Sequence, residues 1–202
     1  MRIFFRDSDC ANKKEQAKQA IQAVLKTGNK LLAQGSIPDA AQHFAFAGDF
    51  RTLTEIVGRL KASKETYLGS RAQNLGLVNC AIARGILVNP YLAPEKKAGI
   101  ARKMLDTAFH NATQLMFMSA ELEAGKEIQA RRMQGAGLVY VQIFETSKTA
   151  MDVFERLKST PNYSGIQERH VESYRNANTA INELKNWKEP EMAEKVRMQF
   201  KD

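Results

Sequence analysis

The sequence is poor in the residues from which metal sites, disulfide frameworks and most acid–base centres are built. It has two cysteines and three histidines in 202 residues. Cys10 and Cys80 lie far apart and form no Cys-x-x-Cys spacing, so they predict free thiols in a reducing compartment. No histidine stands in a His-Glu-x-x-His or carboxylate-x-x-His pattern. We therefore expect no enzyme: no catalytic residues, no metal site and no cofactor.

Long apolar runs are also absent. One long uncharged stretch, 72–83, contains Gln73, Asn74 and Asn79, whereas a helix needs about 20 apolar residues to cross a bilayer. Near the start of the sequence, the apolar run at 3–5 is too short for the apolar core of a secretory signal. These absences predict a chain without a membrane span and with a cytoplasmic location.

Strand patterns are missing as well. Apolar residues recur at spacings of three and four, and runs of alternating Val, Ile and Thr do not occur, so we expect an all-α protein. No Pro/Gly/Ser-rich linker divides the chain, which predicts one domain over 1–202, with 1–11 as an N-terminal extension and 164–202 as C-terminal capping helices. The predicted helices are 12–34, 38–47, 50–62, 64–88, 94–122, 124–145, 147–158, 164–187 and 190–200.

The most distinctive stretch of the sequence is a glycine turn between two apolar helices. The first helix offers a small residue and then a large one, and the second has the spacing Ala-x-x-x-Phe-x-x-Ala. The residues concerned are Gly28, Leu31, Gly35, Ala40, Phe44 and Ala47. This layout, over about 21–54, resembles a tetratricopeptide repeat. The resemblance implies that the small residue lets the second helix approach closely, and that these six residues pack hairpins together.

Two weaker echoes of the motif follow. One covers 134–161, with small and large residues at 137–140 and a second helix from Ala150; the fainter one covers 101–108 and has no turn glycine before it. The separations between them do not fit the repeat length of the family, about 34 residues. We therefore predict an irregular tetratricopeptide-like array of about eight or nine helices in antiparallel hairpins, with a generic helical bundle as the alternative.

The predicted helix 64–88 is rich in small residues, among them Gly69, Gly76 and Gly85. Each glycine inside a helix costs about 1 kcal/mol of helix propensity, so close packing against neighbours must compensate for it. We expect this helix to be the hub of the fold and Cys80 to be a core residue within it.

Positive charge is concentrated in one part of the chain. Residues 51–104 hold ten of the thirty cationic side chains and three of the twenty-two acidic ones, a net charge of +7. The candidate partner-binding face consists of Arg59, Lys61, Lys64, Arg71, Lys96, Lys97, Arg102 and Lys103. Such a face predicts an acidic protein surface as partner, with nucleic acid and an ordinary solvated face as alternatives. Only Tyr67 and Tyr91 in this sector could stack on bases.

A candidate apolar interface consists of Leu115, Met116, Phe117 and Met118. Four consecutive large apolar residues cover more than one face of a helix, so they indicate either a helix buried all round or a surface that waits for a partner.

Acidic residues in the second half of the sequence fit ordinary surface ion pairs. Asp106 and His110 share a helix face, which predicts a surface pair. Glu121, Glu123 and Glu127 are followed at helical spacing by cations, which predicts an exposed ion-pair face that includes Arg132.

These observations predict a non-enzymatic adaptor or scaffold, a subunit of a larger multi-protein assembly. Homo-oligomers stay open at this point. The alternative is a basic helical protein that binds or coats nucleic acid.

Overall fold

The all-α prediction is confirmed. The structure, a computed structural model, describes residues 7–63 and 69–200, and for 7–12 and 122 it describes the backbone alone. Over this part of the chain it contains eight α-helices, two short 3-10 turns at Leu122–Ala124 and Glu155–Leu157, and no strand. The helices are α1 (Asp7–Ala33), α2 (Ile37–Phe46), α3 (Phe50–Ala62), α4 (Ser70–Val88), α5 (Pro94–Ser119), α6 (Lys126–Val153), α7 (Pro161–Asn186) and α8 (Pro190–Arg197).

Glycine and proline set several of the helix boundaries. Gly48 adopts a left-handed conformation (φ 75°) and Asp49 caps α3, its carboxylate accepting a 3.1 Å bond from the backbone N–H of Thr52. Proline occupies the first turn of α2, α5, α7 and α8, where its missing N–H costs nothing.

Helix α6 corrects two predictions. Where the sequence predicted a break at residue 146 between two helices, the chain continues as one helix from Lys126 to Val153. Thr146 and Ser147 are fully buried, and their hydroxyls donate to the carbonyls of Gln142 and Phe144, so they do not interrupt the helix. The echo at 134–161 is therefore not a helix hairpin, because 137–140 and Ala150 lie on the same helix.

Helix α4 begins later than predicted. Its first residue is Ser70, and the preceding Gly69 is the N-cap, with a left-handed conformation of φ 69°. Of the predicted start, residues 64–68 lie outside the described residues.

Helix α4 is the hub of the fold, as predicted. It packs on α2, α3, α5 and α6. Its apolar residues divide between two cores: Leu75, Val78 and Ala81 join the core of α2 and α3, whereas Cys80 and Leu87 join the larger core of α5 to α8. The helix is thus apolar on two sides and connects the two halves of the molecule.

The helices stack as an array. From α4 to α8, each helix packs on the next one and on the next but one, and α2 packs on α4 in the same way. Within the described residues, α4 and α7 share no extensive contact. A closed four-helix bundle brings its first and fourth helices together, so this pattern is that of successive helix pairs stacked side by side.

Two glycines of α4 make the stacking possible. A Cβ atom at Gly85 would lie 2.7 Å from the backbone oxygen of Ala45 on α2, and one at Gly76 would lie 2.6 Å from Val139 Cγ1 on α6. Any side chain at these positions would push the helices apart. The close approach predicted for the small residues of α4 is therefore confirmed.

Candidate functional site

The residues of the repeat-like motif lie at the junction of α1 and α2. Gly28 is buried against Phe44, Ala40 is fully buried, and Gly35 forms the left-handed turn with φ 78°. The large residue of the first helix, Leu31, is half-buried, as is Ala47. All six residues thus take part in packing or turning the chain and offer no free polar chemistry.

The predicted basic face is not assembled as one surface. Arg59, Lys61 and Arg71 lie at the N-terminal end of α4, whereas 96–103 covers the first half of α5 beside the C-terminal end of α4. Helix α4 has 19 residues and is therefore about 28 Å long, so its length separates the two groups. Lys64 lies outside the described residues.

Two of the predicted cations are engaged inside the molecule. Arg102 donates to the carbonyl of Pro161 at 3.2 Å and lies 3.7 Å from the Asp106 carboxylate. Lys97 Nζ donates to the carbonyl of Leu87 at 3.3 Å. Lys96 and Lys103 are exposed. Of these four cations of α5, only Lys96 and Lys103 are wholly available to a partner.

The predicted apolar interface divides between core and surface. Leu115 is fully buried, and Met116 packs against the larger core. Phe117 is 73% exposed, and Met118 is half-buried. The run is therefore partly core and partly surface, and its role as an interface stays a prediction.

The structure brings one of the predicted cations to the predicted apolar residues. Arg71 of α4 lines the same pocket as Phe117 and Met118 of α5, and this pocket has a volume of about 380 Å³. We call it the α4–α5 groove. Its lining residues are Gly69, Arg71, Ala72, Leu75, Asn111, Gln114, Phe117 and Met118. Among these described lining residues, Arg71 is the one ionisable side chain.

The position of Arg71 is fixed by a contact with the end of α3. Its Nη1 donates to the carbonyl of Ser63 at 3.0 Å. Arg71 also lines a neighbouring pocket of about 340 Å³, in which Arg59 is the second cation and, as far as the structure describes the lining, no acidic side chain takes part. The apolar part of this second pocket is formed by Leu32, Ile37, Ile56 and Leu60. Both pockets are therefore positive and apolar.

A buried arginine contacts the backbone of Met118, a lining residue of the α4–α5 groove. Arg132 of α6 is 5% exposed, and its Nη1 donates to the carbonyl of Met118 at 2.7 Å and to the Glu121 carboxylate at 2.8 Å. The prediction of an exposed ion-pair face is wrong for Arg132 and holds for Arg131, which pairs with Glu127 in solvent. Helical spacing alone does not reveal that Arg132 stabilises the C-terminal carbonyls of α5.

The titratable side chains indicate structural roles. Burial raises the pKa of the Cys80 thiol to about 12, an effect that the nearby Arg84 only partly offsets, so Cys80 is a neutral core residue at neutral pH. Asp106 pairs with Arg169 at 2.7 Å rather than with His110.

Over the described residues, no group of three metal-ligating side chains comes together, and no helix is long and apolar enough to cross a membrane.

Comparison with known proteins adds no relative. The chain matches no family model, and comparison with curated proteins and with solved structures finds no significant similarity.

Proposed function

We propose that this protein is a non-enzymatic adaptor or scaffold, a subunit of a larger assembly, which binds an acidic protein segment in the α4–α5 groove. One observation carries the proposal: Arg71 and Phe117, which belong to separate candidate sets in the sequence, line one pocket. Arginine and aromatic residues are the side chains most enriched among the strongest contributors to protein interfaces. We also propose that the stacked helices form a tetratricopeptide-like array and that the protein acts in the cytoplasm.

The exposed ring of Phe117 supports a protein partner. Full burial of a phenylalanine side chain contributes about 1.5–3 kcal/mol, and 73% of this side chain is open to solvent. Leu75 and Met118 provide further apolar surface beside it. Methionine is flexible and polarizable, so Met118 adapts its shape to an incoming side chain.

The charge of the groove selects the partner. Arginine is a cationic side chain, and among the described residues no carboxylate lines either of the two pockets that Arg71 shares. An acidic side chain would form a charge-assisted, bidentate bond with a guanidinium. A basic segment would meet repulsion from Arg59 and Arg71 together.

The same composition argues against catalysis in the groove. Arginine side chains are not deprotonated in proteins and are therefore unsuited to general acid–base catalysis. Asn111 and Gln114, the polar partners in the lining, do not titrate. A volume of about 380 Å³ lies at the lower end of the range for small-molecule sites and suits one or two side chains of a partner.

A nucleic-acid-binding or coat protein is the second candidate. Tyr91, in the loop between α4 and α5, is 93% exposed beside a cationic part of the chain, and such a ring stacks well on a base. Single-strand binding uses several rings interleaved with cations, however, and the next exposed ring of this hairpin is Phe117 at its opposite end. We therefore rank the protein partner first.

Affinity purification of the full chain tests the proposal. Arg71→Glu and Phe117→Ala are expected to lose the same partner proteins, identified by mass spectrometry after nuclease treatment. The matched controls are Lys18→Glu, an exposed charge reversal on α1, and Val171→Ala, a truncation of an exposed residue on α7. If all four variants retain the same partner proteins, the α4–α5 groove is not their binding site. Retention of single-stranded nucleic acid that weakens steeply with salt would favour the second candidate.

A further inference from the structure

A second groove lies at the other end of α4. It is formed where α2 crosses α4, and its volume is about 220 Å³. We call it the α2–α4 groove. Its lining residues are Gln42, Ala45, Phe46, Ala81, Arg84, Gly85 and Val88. The floor is made of small residues, because Gly85 allows the backbone of Ala45 to approach α4 closely. The groove is therefore a built feature of the helix crossing.

Large apolar side chains at this groove are exposed to solvent. Phe46 is 76% exposed and Val88 is 65% exposed, and both belong to the lining. The ring of Tyr91 follows three residues after Val88 and is 93% exposed. An exposed phenylalanine and an exposed valine on two different helices provide two apolar walls for one inserted side chain.

Of the lining residues that the structure describes, Arg84 is the one ionisable side chain, and α6 holds it in place. Its Nε donates to Thr146 Oγ1 at 3.0 Å, and its Nη2 donates to the side-chain oxygen of Gln142. Thr146 is fully buried, so this anchor is rigid. Both partners are neutral, and within the described residues no carboxylate lies within 4 Å of the guanidinium. A half-buried positive charge is thus oriented in advance and has no counter-ion there.

We propose that the α2–α4 groove is a second docking site, which binds a peptide segment with a carboxylate next to an apolar side chain. The apolar side chain lies between Phe46 and Val88, and the carboxylate accepts bonds from Arg84, which supplies the missing charge complement. A guanidinium that is already oriented loses little freedom on binding. The volume, about 220 Å³, is below the range of cofactor sites and fits one side chain.

This site is independent of the proposed α4–α5 groove. Arg71 and Arg84 are 13 residues apart on α4, so about 20 Å of helix separates the two guanidinium-bearing positions. The two grooves share no lining residue within the described part of the chain. The chain would then bind two acidic segments at once, one at each end of α4.

Selection of a phage-displayed random dodecapeptide library on the full chain tests this site. Peptides that fail to bind the Phe46→Ala variant are synthesised, labelled with a fluorophore and titrated by fluorescence anisotropy. We expect them to share Asp or Glu beside a large apolar residue. Replacement of that acid by its amide should weaken binding about tenfold, because a charge-assisted bond to Arg84 is lost. Arg84→Gln should weaken binding to a similar degree.

Two further variants serve as controls. One shows whether a loss of binding is due only to a loosened contact between α4 and α6, and the other shows whether the peptide binds in the α4–α5 groove instead. Arg84→Gln also removes bonds between α4 and α6, so Val88→Ala, which changes only an exposed wall, provides a second variant without that effect. Phe117→Ala, in the other groove, should leave the affinity unchanged. Three results would overturn the inference: no peptide that depends on Phe46, equal binding of the amide peptide, or loss of binding in Phe117→Ala. The last result would show that binding is not confined to the α2–α4 groove, and it would leave the proposed function standing.

Discussion

Gly28 of α1 lies directly against the ring of Phe44 of α2. A Cβ atom at Gly28 would come within 3.1 Å of Phe44 Cε1 and within 3.2 Å of His43 Cβ. Phe44 is 1% exposed and belongs to the core that α2 shares with α3 and α4. The ring therefore occupies the space that a side chain at Gly28 would need, and the first helix hairpin depends on this fit.

A bulky residue at this position should destabilise the protein. We expect Gly28→Leu to lower the free energy of unfolding by about 1–3 kcal/mol, because the side chain would force α1 away from Phe44. Urea unfolding followed by circular dichroism at 222 nm measures the change. The control is Gly58→Ala on α3, where nothing lies within 4 Å of a new Cβ and the higher helix propensity of alanine should stabilise by up to about 1 kcal/mol. Equal stability of Gly28→Leu and wild type would contradict the packing.

The contact of α4 with α6 allows a sharper test by a double-mutant cycle. Gly76→Ala should cost about 1–3 kcal/mol, since its Cβ would lie 2.6 Å from Val139 Cγ1 and 3.0 Å from Cγ2. Val139→Ala alone removes buried methyl groups and should cost about 2 kcal/mol. In the double variant, the new methyl group occupies space that the valine has left. The combined cost should therefore be smaller than the sum by about 1 kcal/mol or more, and strict additivity would show that the two residues do not touch.

The sequence predicts the helices well where local chemistry decides. Proline at first turns, the glycine at 48 and the capping Asp49 mark boundaries that the structure keeps. It fails at residue 146, because Thr146 and Ser147 satisfy their hydroxyls on the preceding turn of α6, and nothing in the local pattern distinguishes this from a helix end. It also fails at Gly69, whose left-handed conformation depends on the chain around it.

The grooves could not be predicted in the same way. Arg71 and Phe117 are 46 positions apart, and their meeting depends on the pairing of α4 with α5. Arg84 stands out only when Gln142 and Thr146 are seen to hold it across the contact with α6. Charge counting finds a positive region, but it does not show that the length of α4 divides this region in two.

The cations of α5 should respond differently to charge reversal. We expect Lys96→Glu and Lys103→Glu to change the stability by less than about 0.5 kcal/mol, because both side chains are exposed. Arg102→Glu should cost about 1–2 kcal/mol, since it removes the bond to Pro161 and places a second carboxylate beside Asp106. Thermal unfolding compares the three variants. Equal melting temperatures for all of them would show that the contacts of Arg102 contribute nothing to the fold.

The thiol of Cys80 gives a test of burial and of pH dependence. In a chain with Cys10→Ser, so that a single thiol remains, Ellman's reagent at pH 8 should react only after unfolding in urea, because burial raises the pKa of Cys80 to about 12. Rapid reaction of the folded protein would contradict a buried position in α4.

The same shift determines how stability changes in alkali. Well below pH 9, the thiol is protonated in both states, and its contribution to stability is complete. Between pH 9 and about pH 12, the unfolded chain releases this proton while the folded chain retains it, so the free energy of unfolding falls as the pH rises. Tyrosine and lysine side chains also titrate in this range, and the comparison must therefore be with Cys10→Ser/Cys80→Ala, which shares all of them. The single variant should lose stability more steeply than the double variant from pH 9 upward, and parallel pH profiles would mean that the thiol is accessible in the folded state.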